Sequence, residues 1–508
     1  MSETLSMRLL PGEVWWGGVA HAGHRMPLGM DKSGAIDPCG GEDLDQCAPL
    51  FLSSAGRFLW SGSAFSLRVE GELLRCEGTA PIRLSEGHGS LRGAYLAASR
   101  THFAPVGGMP DARFFSRPQY NTWIELKTGQ TQEAILAYAR GILSHGLPAG
   151  ILMIDEGWAE DYGVFEFNRR KIPEPAALVS ALHEMGFAVM LWVTPAVSPD
   201  GPRFKELRDS GLLLRDREGN IAMREWWNGC SAVLDLTSAR AAAWMDDQLR
   251  ALMDGYGIDG FKFDAGDRYF YRDDDRAENP VPAREQTLLY NRLGERYALC
   301  EFRAAWNSGG RRIVARLQDK LHSWGTDGLA ALIPNTIAQG LLGYAYCCPD
   351  MVGGGDVGSF TGENQAIDEE LFVRWAQASA CMGMLQMSIS PWRVLSEKNA
   401  ALVTDAMGLH ARLAERICAL AREASRTGEP IVRHMAYVFP GEGFEQTRDQ
   451  FMLGDDLLVC PVLQKGAKRR AVRLPAGRWR SWRGEVLRGG EIREFAVELS
   501  DIPRFERL

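Results

Sequence analysis

Gly260-Phe261-Lys262-Phe263-Asp264-Ala265-Gly266-Asp267 decides the fold. It follows Ser238 to Met253, where Trp244, Met245, Leu249, Leu252 and Met253 fall on one face at helical spacing. Gly255 and Gly257 then stop the helix, and the chain enters a short apolar run that ends in a carboxylate. A helix feeding directly into a short buried strand is half of an α/β repeat. Strand alternation puts Phe261 and Phe263 on one side, and Lys262 and Asp264 on the other.

The same unit recurs upstream. Thr131 to Leu143 is amphipathic, Gly146 and Pro148 end it, and Gly150-Ile151-Leu152-Met153-Ile154-Asp155 follows. Ala176 to Met185 ends at Gly186 and leads into Phe187 to Val193. Continuous apolar runs mark strands buried on both faces. Residues 118–415 therefore predict a catalytic (β/α)8 TIM barrel within an α/β fold. A doubly wound sheet is the alternative, but no Gly-rich phosphate turn follows a strand. Residues 1–117 alternate at period two in short stretches, such as Phe65 to Glu70, and predict an N-terminal β-sandwich. The alternation returns after about residue 425. Gln450 to Val462 reads as one strand and Ala471 to Trp479 as another, in a C-terminal β-domain over 416–508.

Composition excludes several classes. With 45% apolar and 24% charged residues among 508, the chain is an ordinary globular protein of several domains. A net charge of −8 without a Lys/Arg block argues against nucleic acid. No run of about 18 apolar residues argues for a membrane span. The first residues lack a signal-peptide pattern, which predicts a cytoplasmic protein. The ten cysteines are scattered without a Cys-x-x-Cys pair, so no zinc framework is expected. His21 and His24 have metal-like spacing but stand alone. No metal or cofactor is expected, and a homo-oligomer stays open.

Chemistry should sit at the C-terminal ends of barrel strands. Asp155, Glu156, Asp264 and Asp350 are placed there, at the edge of a core where desolvation is costly. Lys262 shares a face with Asp264 and would keep it ionised; a purely structural ion pair fits the spacing equally well. Asp319 lies between Arg316 and Lys320, where a solvated helix face is the default, and Asp327 competes with it as an acid. Trp192 and Trp227 are either core residues or apolar platforms.

These motifs together resemble glycoside hydrolase family 31, from about Asn121 to the C-terminus. The segments that carry the likeness are Gly260 to Asp267, Arg303 followed by Asp319 and Ser323-Trp324, Pro349 to Gly355, and Gly428 to Arg433 with Phe451 to Val462. The resemblance implies a retaining mechanism, with Asp264 as nucleophile and Asp319 as general acid/base. It implies that Arg303 contacts the sugar and that Asp155 or Glu156, with Asp350, accepts its hydroxyl hydrogen bonds. Burial near Trp324, or the charge on Asp264, would raise the pKa of Asp319. Asn121 to Trp123, Arg224 to Gly229 and Gln386 to Arg393 look like the branch of the myogenesis-regulating glycosidase, associated with α-galactosides. Many α-glucosidases of the family carry a sugar-binding His in an Arg-Asn-His-Asn stretch. Here the corresponding Met387 to Arg393 has none, which favours α-galactosidase. The expected partner is a small-molecule α-glycoside or oligosaccharide, cleaved in exo fashion. The alternatives are α-glucosidase, α-xylosidase, sulfoquinovosidase, transglycosylase and an inactive sugar-binding protein.

Overall fold

A computed structural model describes residues 3–39, 45–361 and 367–508. Its centre is a barrel of eight parallel strands: β1 (Gln119–Asn121), β2 (Ile151–Ile154), β3 (Ala188–Val193), β4 (Gly260–Phe263), β5 (Leu299–Phe302), β6 (Val314–Arg316), β7 (Cys347–Cys348) and β8 (Gln386–Met387). Neighbours in sequence pair side by side throughout, and β8 returns to β1. A parallel bridge from Met351, just beyond β7, to Gln386 closes the ring. The doubly wound alternative is thereby excluded. Every residue of β2, β3 and β4 is buried, the burial that their unbroken apolar runs require.

The helices match their sequence signals. Gln132–Ser144 is capped by the Thr131 hydroxyl, which accepts from Ala134 N–H. Ala239–Tyr256 buries Met245, Leu249 and Leu252. It runs through Gly255 and stops at Gly257, whose φ of +76° supplies the left-handed cap.

The N-terminal region forms two antiparallel sheets. One orders Glu3–Arg8, Leu73–Gly78, Phe65–Glu70 and Gly34–Ile36; the other orders Leu28–Gly29, Val14–Val19, Gln46–Ser53, Phe58–Ser61 and Ile82–Ser85. Rings such as Phe51 and Phe65, 5.2 Å apart, join them. The strand Gln46–Ser53 also pairs in parallel with Ala305-Trp306 of the barrel domain. A single buried apolar cluster accordingly runs from this region through the barrel.

Three boundaries differ from the sequence reading. The border at residue 415 falls inside one continuous helix, Glu397–Thr427, which ends at Gly428 with φ +79°. Gln450 to Val462 is a hairpin, not a strand: Phe451–Leu453 pairs with Leu457–Val459 across a turn at Gly454. Ala471 to Trp479 is likewise broken by Pro475 and Gly477 into Arg469–Arg473 and Arg478–Ser481. The C-terminal β-domain keeps its own core around Phe444, Leu458, Trp479 and Phe505. Among the described residues, no helix is long and apolar enough to cross a membrane.

Candidate active site

A cavity of about 520 Å³ opens at the C-terminal end of the barrel. Asp155, Glu156, Trp192, Trp227, Lys262 and Asp264 line it, together with Arg303 and Asp319. Of the ten residues expected at a site, these eight are brought together.

Asp264 is the most constrained. It stands one residue past β4, and the backbone after it turns sharply, with Ala265 at φ +55°. A non-glycine residue in that region stores strain, which is tolerated where the surroundings enforce it. Ala265 N–H donates to Asp264 Oδ1 at 2.7 Å, and Arg303 Nε donates to the same oxygen at 2.7 Å. The other oxygen accepts from Trp192 Nε1 at 2.9 Å and lies 3.7 Å from Lys262 Nζ. Burial opposes ionisation here. The charges of Arg303, Lys262 and Arg316 outweigh it and hold the carboxyl far below the usual carboxylate range. The side chain is therefore an anion with fixed orientation, held at the cavity wall.

Lys262 is 3% exposed and does double duty. Its ammonium donates to Asp155 Oδ2 at 2.8 Å while facing Asp264. Burial lowers its pKa, but the two carboxylates more than compensate and keep it protonated. Asp155 also accepts from Glu156 N–H at 2.9 Å. Glu156 receives hydrogen bonds from the Tyr162 hydroxyl and the Asn228 amide. Burial raises its pKa despite those donors.

Arg303 leaves β5 and bridges two carboxylates, since Nη2 reaches Asp267 Oδ2 at 2.6 Å. Its guanidinium also stacks over the Trp227 ring, 5.3 Å from the centroid. Trp227 is 52% exposed and Tyr269 61%, and both line the cavity. Trp227 is thus an outer aromatic face and not core. Trp192 is core by burial, yet its N–H is committed to Asp264.

Asp319 lies three residues past β6, in a coil and not on a solvated helix face. Its side chain is 38% exposed, and Oδ1 accepts from Arg316 Nη1 at 2.7 Å. Arg316 itself is 1% exposed. It also donates to Asp350 Oδ1 at 3.0 Å and faces Glu301 at 3.4 Å inside the barrel.

Two expected residues sit elsewhere. Asp350 is fully buried behind Arg316, with φ +85°. Its second oxygen accepts from Lys320 N–H at 2.9 Å and Gly355 N–H at 3.1 Å. It does not line the cavity, and burial pushes its carboxyl up to about 7 against the pull of Arg316. Trp324 does not line it either. Its indole N–H goes to Asp368 at 2.9 Å, so the proposed apolar cover over Asp319 is replaced by Arg316. The competing acid Asp327 accepts from the Ser323 hydroxyl, also away from the cavity. The segment without the sugar-binding His is tied to the loop after β1. Ser388 accepts from Ile124 N–H at 2.8 Å and Arg393 donates to Glu125 at 3.0 Å.

Sequence reasoning did not single out Trp123, Asn228, Asp267, Tyr269, Gln318 or Asp356, all lining residues. Trp123, Asn228 and Asp267 fall inside segments that carry the family likeness, and Gln318 directly precedes Asp319; Tyr269 and Asp356 stand just past such segments, in loops without a periodic signal. Six carboxylates and two cations line the cavity, and among the described residues no group of three His, Cys, Asp or Glu side chains is arranged to hold a metal.

The comparisons agree with this geometry. The family model for the "Glycosyl hydrolases family 31 TIM-barrel domain" matches residues 118–417, and the "Glycosyl hydrolase family 31 C-terminal domain" matches 428–507. The myogenesis-regulating glycosidase of Mus musculus is 34% identical over 417 residues, covering 80% of this chain and 58% of that protein. Alpha-xylosidase XylQ of Lactiplantibacillus pentosus is 25% identical over 404 residues, covering 75% and 52%. The chain thus spans a little over half the length of these relatives. A Flavobacterium johnsoniae GH31 dextranase, solved in complex with glucose, superposes with a TM-score of 0.86 at 20% identity, over 100% of this chain and 66% of that one. With its barrel and its C-terminal domain both matched, and 80% of the chain aligned to the mouse relative, the chain belongs to glycoside hydrolase family 31, in the branch of the myogenesis-regulating glycosidase.

Proposed function

We propose that the chain is a retaining, exo-acting α-glycosidase that removes terminal α-galactosyl units. The observation that carries the catalytic part is the pair of unlike carboxylates in one cavity. Asp264 is buried, oriented by three hydrogen-bond donors and held as an anion; Asp319 is half-exposed on another strand-end loop.

In the first step Asp264 attacks the anomeric carbon while Asp319 donates its proton to the glycosidic oxygen. The C–O bond breaks, the alcohol leaves, and a glycosyl ester to Asp264 forms. In the second step Asp319 takes a proton from water, which attacks the same carbon and releases Asp264. Arg303 and Trp192 keep the attacking oxygens aimed, and Lys262 offsets their charge. Asp155 and Glu156, at the floor, are placed to accept from sugar hydroxyls. Trp227 and Tyr269 offer apolar faces to the leaving group.

The galactoside preference rests on the absence of His in Met387 to Arg393 and on the α-galactosides that the resemblance associates with this branch. An α-xylosidase is the second reading, supported by the 25% identical relative of that name. Six lining carboxylates disfavour an anionic sugar, which argues against sulfoquinovosides. A panel of 4-nitrophenyl α-glycosides tests the sugar, with the galactoside expected to give the highest kcat/KM. Asp264→Ala should lower kcat on the best substrate by on the order of 10⁴-fold or more. Full activity in that variant would refute the assignment, and sugar binding without turnover in the wild type would point to an inactive binding protein.

A further inference from the structure

The two catalytic loops come from different strands, β4 and β6, which are joined within the barrel through β5. A second link between them comes from the N-terminal region. Asp45 and Gln46, 1% and 0% exposed, open the strand that pairs with Ala305-Trp306. The Gln46 amide nitrogen donates to the carbonyl of Arg303 and, at 2.9 Å, to the carbonyl of Arg316. Its oxygen accepts from Gln339 Nε2 at 2.7 Å, which fixes the amide's orientation. Asp45 Oδ1 accepts from Gln318 N–H at 2.8 Å, the peptide group just ahead of Asp319. One dipeptide therefore grips the arginine that orients the nucleophile, the arginine that holds the acid/base, and the backbone beside the acid/base.

We propose that Asp45 and Gln46 of the N-terminal β-domain are positioning residues, which set the distance between the nucleophile and the acid/base by clamping Arg303, Arg316 and Gln318. The idea rests on the glycosidase reading of Asp264 and Asp319 and adds to it a part of the machinery outside the barrel. Retaining chemistry needs its two carboxyl groups at about 5–5.5 Å, so a tether that holds both the arginine bonded to Asp264 and the loop carrying Asp319 acts on the quantity that matters most. Asp45 acts as a hydrogen-bond acceptor and not as a charge. Burial pushes its carboxyl up to about 6, against the pull of Lys320, Arg303 and Arg316. An amide in its place keeps the acceptor oxygen.

The test compares Asp45→Ala with Asp45→Asn on two substrates of the same sugar, a 4-nitrophenyl glycoside and an unactivated disaccharide. Loss of the Gln318 anchor should let Asp319 drift. Asp45→Ala is then expected to lower kcat on the disaccharide by about 10- to 100-fold, with a smaller loss on the activated substrate and KM little changed. Asp45→Asn should restore most of the activity. Amide exchange in the peptide containing Gln318 should speed up in Asp45→Ala and not in Asp45→Asn. Three results would each overturn the clamp: equal losses on both substrates that track a fall in denaturation midpoint, an unaffected Asp45→Ala, or an Asp45→Asn as impaired as Asp45→Ala. If the wild type cleaves no α-glycoside, the catalytic reading fails by itself, and the exchange comparison still decides whether the clamp exists.

Discussion

Lys262 concentrates the electrostatics of the site in one ammonium. It sits between Asp155 and Asp264 with 4% of its side chain exposed, and both carboxylates are themselves largely buried. Lys262→Met should cost about 3–5 kcal/mol of stability, because it leaves buried charge uncompensated. A denaturant titration measures this. The same change raises the pKa of Asp264, which Lys262 helps to depress. The acidic limb of kcat/KM should therefore move to higher pH, by about 1–3 units. Linkage gives the matching sign for folding. A depressed carboxylate stabilises above its unfolded pKa, near 4, and loses that contribution as pH falls towards its folded value. Lys262→Met should be less sensitive to acid below pH 4 than the wild type. Asp350 works in the opposite sense. Its folded pKa of about 7 lies above the unfolded one, so its contribution to stability falls as pH rises from about 4 to 7. Asp350→Asn should flatten the stability profile across that window. Much of this was legible in the sequence, because strand alternation alone puts Lys262 and Asp264 on one face. That Lys262 also serves Asp155 was not, since the partner comes from a strand 107 residues away. The expectation for Trp324 failed for a related reason: its neighbours in sequence suggested Asp319, and the fold gave its N–H to Asp368.

At the scale of elements, the loop after β7 is packed against the loop after β6 with no room to spare. A Cβ on Gly355 would lie 2.6 Å from Asp319 Oδ1 and 2.8 Å from Asp350 Oδ1. Gly355→Ala should displace the acid/base without disturbing the strands. The expected loss on an unactivated disaccharide is about 10- to 100-fold, with a denaturation midpoint near wild type. An unchanged rate would mean that Asp319 is not held where the structure puts it. The long periodic elements were readable, from Gln132–Ser144 to Ala239–Tyr256. Strands such as Cys347–Cys348 and Gln386–Met387 were not, because two residues carry no periodicity. The hairpin Phe451–Leu453 and Leu457–Val459 was read as one strand because the apolar residues on either side of Gly454-Asp455-Asp456 overrode the turn signal between them.

For the whole molecule, the order of the three regions followed from period alone: two, then 3.6 with buried strands, then two again. What period could not show is how the first region joins the second. It does so through a shared apolar core and a strand that pairs with Ala305-Trp306, contacts between residues some 260 positions apart. A fragment starting at residue 118 would expose that core, so it is expected to be aggregated or unfolded when expressed alone. A soluble, cooperatively folding fragment, seen by size exclusion and calorimetry, would contradict this. The hydrogen bonds of Asp45 and Gln46 also have an evolutionary side. A clamp of this kind predicts that proteins sharing the barrel do not exchange N-terminal regions as interchangeable modules. Whatever stands at 45 and 46 must be inherited together with the carbonyl positions of 303 and 316 and the peptide at 318, so a chimera joined between these regions inherits a mismatched pair of loops unless the crossing residues travel with their barrel.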